Sequence, residues 1–211
     1  MPSATTHFTL NLATVDGIRE GLSLLGIKWE PAVYDQEDPP LTDGLYAWAT
    51  KDEGAVIHLG VAVDEGYGLV GELPFQLAMA KESKRQFHGH ARTLQRLSAR
   101  GIEVLPYAGE LTVDDTCDSS WLTAAGDQAF ATYTPDMASE VLEAVGRLRA
   151  NPYKHVERFA VRLSMHLAET GIPLNHTYKD AWGAGSSRRS QALDEAAVIV
   201  AARINGELDA D

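Results

Sequence analysis

The chain's residue pattern predicts an α+β fold: a small, mainly antiparallel sheet opened by a hairpin and flanked by helices, with extra helical segments at both ends. Three observations predict it. Residues 44–50 and 55–63 are apolar runs joined by Lys51-Asp52-Glu53-Gly54, whose residue types suit a turn. A third strand-like run, Ile102-Glu103-Val104-Leu105-Pro106-Tyr107, follows a long stretch of helical character. The rest of the chain reads as helix after helix.

Taken in order, residues 7–12 alternate weakly and predict a strand. Residues 15–25 have helical spacing, with Asp16 as the candidate cap. Residues 34–42 are acidic and proline-rich, hence a loop, and 64–71 carry Gly66, Gly68 and Gly71 as a connection. Residues 73–100 predict a helix, whole or split at Pro74 and Gly89. Residues 114–120 form an acidic loop. Two helices follow over 137–150 and 152–169, and Pro152 suits the first turn of the second. A Gly/Ser loop over 182–190 leads to a terminal amphipathic helix at about 191–205. One domain accounts for the whole chain. Its core spans about 44–110 and 152–180, with an N-terminal extension over 1–43 and a helical insertion at about 112–150.

Composition narrows the function. With 211 residues, 45% hydrophobic and 23% charged, the chain can bury a sizeable core. Its formal net charge of −12 works against generic nucleic-acid binding, which depends on neutralising phosphates. Nucleic acid then requires a segregated basic face. Cys117 is the single cysteine, so no disulfide closes within the chain, and a reducing cytosol, that is, a cytoplasmic location, is expected. No signal peptide or membrane-spanning run is visible.

The chemistry-bearing pattern has three parts: Gly44-Leu45-Tyr46, then Val56-Ile57-His58-Leu59-Gly60, then Ile172-Pro173-Leu174-Asn175. The first two place a polar ring, Tyr46 or His58, near a glycine on each strand of the hairpin. This pattern resembles the GIY-YIG nuclease family, over Gly44 to about Arg100 and from Glu157 to Asn175. The resemblance implies a phosphodiester-cleaving site with Mg²⁺ or Mn²⁺. It implies that Tyr46 helps to activate the attacking water and that His58 stands where the family has its second tyrosine. Histidine can exchange protons near pH 7. It implies a metal-binding glutamate on a later helix, here Glu157, and a following turn containing Asn175.

Two slots depart from the family. Glu72 lies where the family has its phosphate-contacting arginine. Arg85 or Arg92 can serve from further along. On an uninterrupted helix at about 100° per residue, Arg85, His88, Arg92 and Arg96 fall within about 80° of one another, opposite Phe87, Ala91, Leu94 and Leu97. That cationic stripe is the candidate basic face. The second departure is Arg162, which occupies the family's usual glutamate spacing, with Glu157 one to two turns earlier. His88 and His90 point about 200° apart on a helix and do not share a metal ion there.

Two functional readings follow. In the first, the chain is a metal-dependent nuclease-like hydrolase, with Tyr46, His58, Arg85, His88, Arg92 and Asn175 in its site and Glu157 on the metal. In the second, the fold is kept and the charged site is altered, giving a binding module or an enzyme on a small molecule. The expected partner is nucleic acid on the cationic helix face, or a small phosphate-bearing or other small-molecule ligand, and not a membrane.

Overall fold

The computed structural model describes residues 13–34, 43–63, 89–168 and 188–208. These residues form an α+β fold of two small antiparallel sheets and six helices. In chain order the elements are α1 (Val15–Leu24), β1 (Ile27–Trp29), β2 (Ala32–Val33), β3 (Gly44–Thr50), β4 (Val56–Ala62), α2 (Gly89–Ser98), β5 (Val104–Gly109) and β6 (Leu111–Val113). They continue as α3 (Trp121–Ala129), α4 (Pro135–Ala150), α5 (Pro152–Leu167) and α6 (Arg188–Ile204).

The predicted hairpin is β3–β4, and β5 pairs on the other side of β3. β3 is therefore the central strand of the order β2-β5-β3-β4. All seven of its residues are buried, which explains why it reads as nearly continuous apolar sequence rather than an alternation. Gly54 closes the hairpin turn at φ +63°, a conformation that suits glycine.

Three short strands, β1, β2 and β6, were not expected. β1 pairs with β6 and β2 with β5 in one continuous register, from Ile27↔Val113 to Val33↔Tyr107. The two sheets are thus one ribbon, interrupted at Glu30-Pro31. Proline has no N–H to give a ladder. Opposite this break Gly109 lets the chain come close, since a Cβ there would lie 2.6 Å from the Glu30 carbonyl oxygen.

Several helix ends differ from expectation. Thr14, not Asp16, caps α1, its Oγ1 accepting the Gly17 N–H at 3.1 Å. Asp16 sits in the first turn and pairs with Arg19 at 3.0 Å. α3 was not predicted at all. α4 starts at Pro135, capped by Thr134. The described part of the 73–100 helix runs from Gly89 to Ser98.

The main core lies on one face of the sheet. It joins Leu45, Ala47, Ala49, Val56 and Leu59 to the apolar sides of α1, α3, α4, α5 and α6. α6 is its centre, packing against α5, α4, α3 and α1. Ala192, Leu193, Ala196, Ala197, Ile199, Val200, Ala201 and Ala202 are all buried. The terminal helix is therefore amphipathic as its spacing suggests, its apolar side packed on four helices while Gln191 and Arg203 are exposed and Asp194 and Glu195 half-buried. Its alanines allow this close approach. No helix among the described residues is long and apolar enough to cross a membrane.

Candidate functional site

The second face of the sheet carries the rings. Tyr46, Trp48, Ile57, Ala62 and Ala108 gather there with Leu94 and Leu97 of α2. Arg96 of α2 is exposed while Leu94 and Leu97 are buried, so this helix lays its apolar side over the ring-bearing face. The Tyr46 and His58 ring centroids are 6.0 Å apart, with planes inclined at 43°.

A β-bulge decides that these rings share a face. Ala49 pairs with Val56, but Trp48 pairs with His58, leaving Ile57 as the extra residue. In a regular ladder His58 would stand opposite Ala47 and point into the main core. The inserted residue shifts the alternation by one and turns His58 toward Tyr46.

Gly60 completes the pair. It lies directly across from Tyr46, and a Cβ there would run into the Tyr46 ring and hydroxyl. The tyrosine ring lies flat over the bare backbone, an arrangement that fills the space a strand glycine leaves. The tyrosine and the glycine of the two hairpin motifs are thus a single packing unit. Behind them, the Trp29 indole N–H donates to the Leu45 carbonyl at 3.1 Å and fixes the start of β3.

Glu157 approaches from the other side. α5 packs against the main-core face, burying Val156, Phe159, Ala160 and Leu163. The half-buried Glu157 carboxylate accepts the backbone N–H of Val61, on the outer edge of β4. Burial pushes this carboxyl above its usual range, and the Val61 bond pulls in the opposite direction. Glu157 therefore touches the strand that carries His58, three residues further along.

Arg162 is committed elsewhere. Arg158 grips Asp194 of α6 with Nε to Oδ1 at 3.0 Å and Nη2 to Oδ2 at 2.7 Å. Arg162 Nε lies 3.3 Å from the same Oδ1. Arg162 thus belongs to an ion cluster between α5 and α6. The residue pattern did not flag Asp194, because nothing in one sequence says which helices meet.

Of the other expected site residues, Arg85, His88 and Asn175 lie outside the described residues, as does Glu72. Arg92 falls on α2, with its side chain outside the described set. Among the described residues no group of three or more His, Cys, Asp or Glu could hold a metal ion. A site for Mg²⁺ or Mn²⁺ here would rest on Glu157 alone. One carboxylate can hold a hard cation when water and substrate oxygens complete its shell, but the Glu157 carboxylate is desolvated and accepts the Val61 N–H.

Two cavities lie away from the rings. One, of about 420 Å³, runs between α1 and β1 along Asp16, Arg19, Glu20, Lys28 and Trp29. The other, of about 200 Å³, is lined by Gln128, His166, Ala201, Asn205 and Glu207. Neither touches Tyr46, His58 or Glu157. Comparisons of the chain with protein-family models, curated proteins and solved structures give no match.

Proposed function

We propose that this chain is a divergent GIY-YIG-like hydrolase that cleaves a phosphodiester with a divalent metal. The observation that carries this reading is the Tyr46–His58 pair, set on one sheet face by a bulge and cradled on Gly60. A phenol beside an imidazole can take a proton from an attacking water and pass it on. Arg85 or Arg92 would stabilise charge developing on the phosphate, with His88 and Asn175 completing the site. Glu157 would hold Mg²⁺ or Mn²⁺, an ion that offsets phosphate charge and activates water. With one cysteine in the chain, we take the compartment to be a reducing cytosol.

The second reading is a binding module, or an enzyme on a small molecule. Three observations favour it. Tyr46 and His58 are only 4% and 7% exposed. Arg162 is tied to Asp194. The Glu157 carboxyl is desolvated. One experiment separates the readings. Mg²⁺ and Mn²⁺ are titrated by calorimetry into the wild type and Glu157→Ala, and both are assayed on single- and double-stranded DNA and RNA. The hydrolase reading expects metal binding and turnover that Glu157→Ala abolishes without unfolding the protein. No heat at millimolar metal and no cleavage would leave the binding-module reading.

A further inference from the structure

The chain folds back over the C-terminal end of α6. Gly206 takes a left-handed φ of +71°, which suits glycine. Its N–H donates to the Arg203 carbonyl at 3.2 Å, and the Glu207 N–H donates to the Ala202 carbonyl at 2.9 Å. These two bonds close the helix. They bring Glu207 and Leu208 to the cavity of about 200 Å³ whose other walls come from α3, α5 and α6. Ala201, Ala202 and Leu208 give it an apolar lining, and all three are buried. The small alanine side chains leave the room. Glu207 and Asn205 stand at the exposed mouth.

Electrostatics at this mouth favour a cation. Glu207 is the one carboxylate of the lining, and Asn205 steadies it, Nδ2 donating to Oε1 at 3.1 Å. The Asn205 amide oxygen is a further acceptor beside it. The C-terminal end of a helix adds negative potential in the same place. His166 of the lining does not offset this at neutral pH. Burial pushes its imidazole below the ordinary value, Arg162 adds to the effect, and Asp194 opposes it. An anion would therefore be repelled. The volume lies below the roughly 300–1,000 Å³ of sites for drug-sized ligands, so the ligand is small.

We infer that this cavity binds a small alkylammonium ion, its carbon chain on Ala201, Ala202 and Leu208 and its N–H groups on Glu207 and Asn205. The Glu207 carboxylate accepts from a neutral amide, and an ammonium would supply the opposite charge. Because Glu207 and Asn205 are exposed, the ammonium keeps part of its water shell while the alkyl chain leaves water. The cavity lies away from Tyr46, His58 and Glu157. This inference therefore goes beyond the hydrolase reading, and either can fail without the other.

The test is a titration of the full chain followed by backbone-amide NMR, at low salt and neutral pH. The probes are n-butylamine, methylamine, n-butanol and butyrate. The proteins are wild type, Glu207→Gln, and Glu30→Gln as a control at an exposed acid of the other cavity. Glu207 is exposed, so its variant should keep the fold. n-Butylamine should give saturable shifts centred on residues 201–208. Glu207→Gln should raise its Kd about two- to fivefold, the range of an exposed ion pair, and Glu30→Gln should match wild type. n-Butanol and methylamine should each bind more weakly, the first for lack of charge and the second for lack of carbon chain. Butyrate should not saturate. A capped Gly-Lys-Gly peptide distinguishes the source of the ammonium. Binding as tight as n-butylamine would point to a lysine side chain and weaker binding to a free amine, and both support an alkylammonium site. Shifts that do not saturate, or that centre elsewhere, would overturn the inference. So would an unchanged Kd in Glu207→Gln, or n-butanol or butyrate binding as tightly as n-butylamine.

Discussion

Gly60 and Tyr46 form the tightest pairing of the candidate site, because the ring occupies the space where any other residue would place its Cβ. Gly60→Ala should push Tyr46 off its seat and cost about 1–3 kcal/mol, the usual range for overpacking. Urea denaturation measures this, and in a Tyr46→Ala background the same substitution should cost much less. Glu157 makes a prediction in pH. Its folded-state carboxyl titrates above the unfolded one because burial disfavours the charge. The folded state therefore bears a penalty at pH values above both pKa values. That penalty fades as pH falls through the raised folded pKa toward the unfolded one. Glu157→Gln removes the charge, and its amide oxygen can still accept from Val61. The variant should be more stable than wild type at neutral pH, with the gap closing on acidification. Thermal melts across pH, without divalent metal, check this; a gap that widens toward acid would contradict the assignment.

At the scale of elements, α5 does three jobs with three sides. Its apolar side closes the main core, Glu157 reaches the edge of β4, and the Arg158–Arg162 side locks onto α6 through Asp194. The Asp194 cluster is partly shielded, with side chains 18–25% exposed. Asp194→Ala removes the carboxylate that two guanidinium groups share at a helix interface. It should destabilise the protein by about 3 kcal/mol, since breaking one partner of a shielded pair leaves charge uncompensated. Adding Arg158→Met should recover much of that loss. Chemical denaturation of the single and double variants reads both effects, and a double variant no better than Asp194→Ala would refute the pairing as the cause. The hairpin shows the same economy. A bulge at Ile57 lets Val56 point into the main core while His58 points to Tyr46.

For the whole molecule, the sheet has two buried faces of different character. The larger core is aliphatic and alanine-rich around α6, and the smaller is built on Tyr46 and Trp48 under α2. β3 contributes side chains to both. Charge is likewise uneven: the acids dominate the chain as a whole, while α5 shows a basic arc. A formal net charge of −12 sets long-range repulsion toward polyanions.

The α+β class, the hairpin, the third strand and most helix positions followed from residue order, because turn residues, apolar periodicity and Pro152 at a helix start are local signals. The nearness of Tyr46 to His58 was legible from their motifs, but its cause was not. A bulge is a mismatch between two strands, and a single strand does not reveal its partner's register. β1, β2 and β6 escaped notice because strands of two or three residues carry too little pattern to read. The amphipathic spacing of α6 was legible, but its place at the centre of four other helices was not, because only its neighbours decide what its small residues pack against. The link from Glu157 to Val61 and the capture of Arg162 by Asp194 span distant parts of the chain. Sequence by itself determined which residues could carry chemistry. Tertiary structure decided which of them meet, because side-chain contact depends on packing between elements and periodicity describes each element alone.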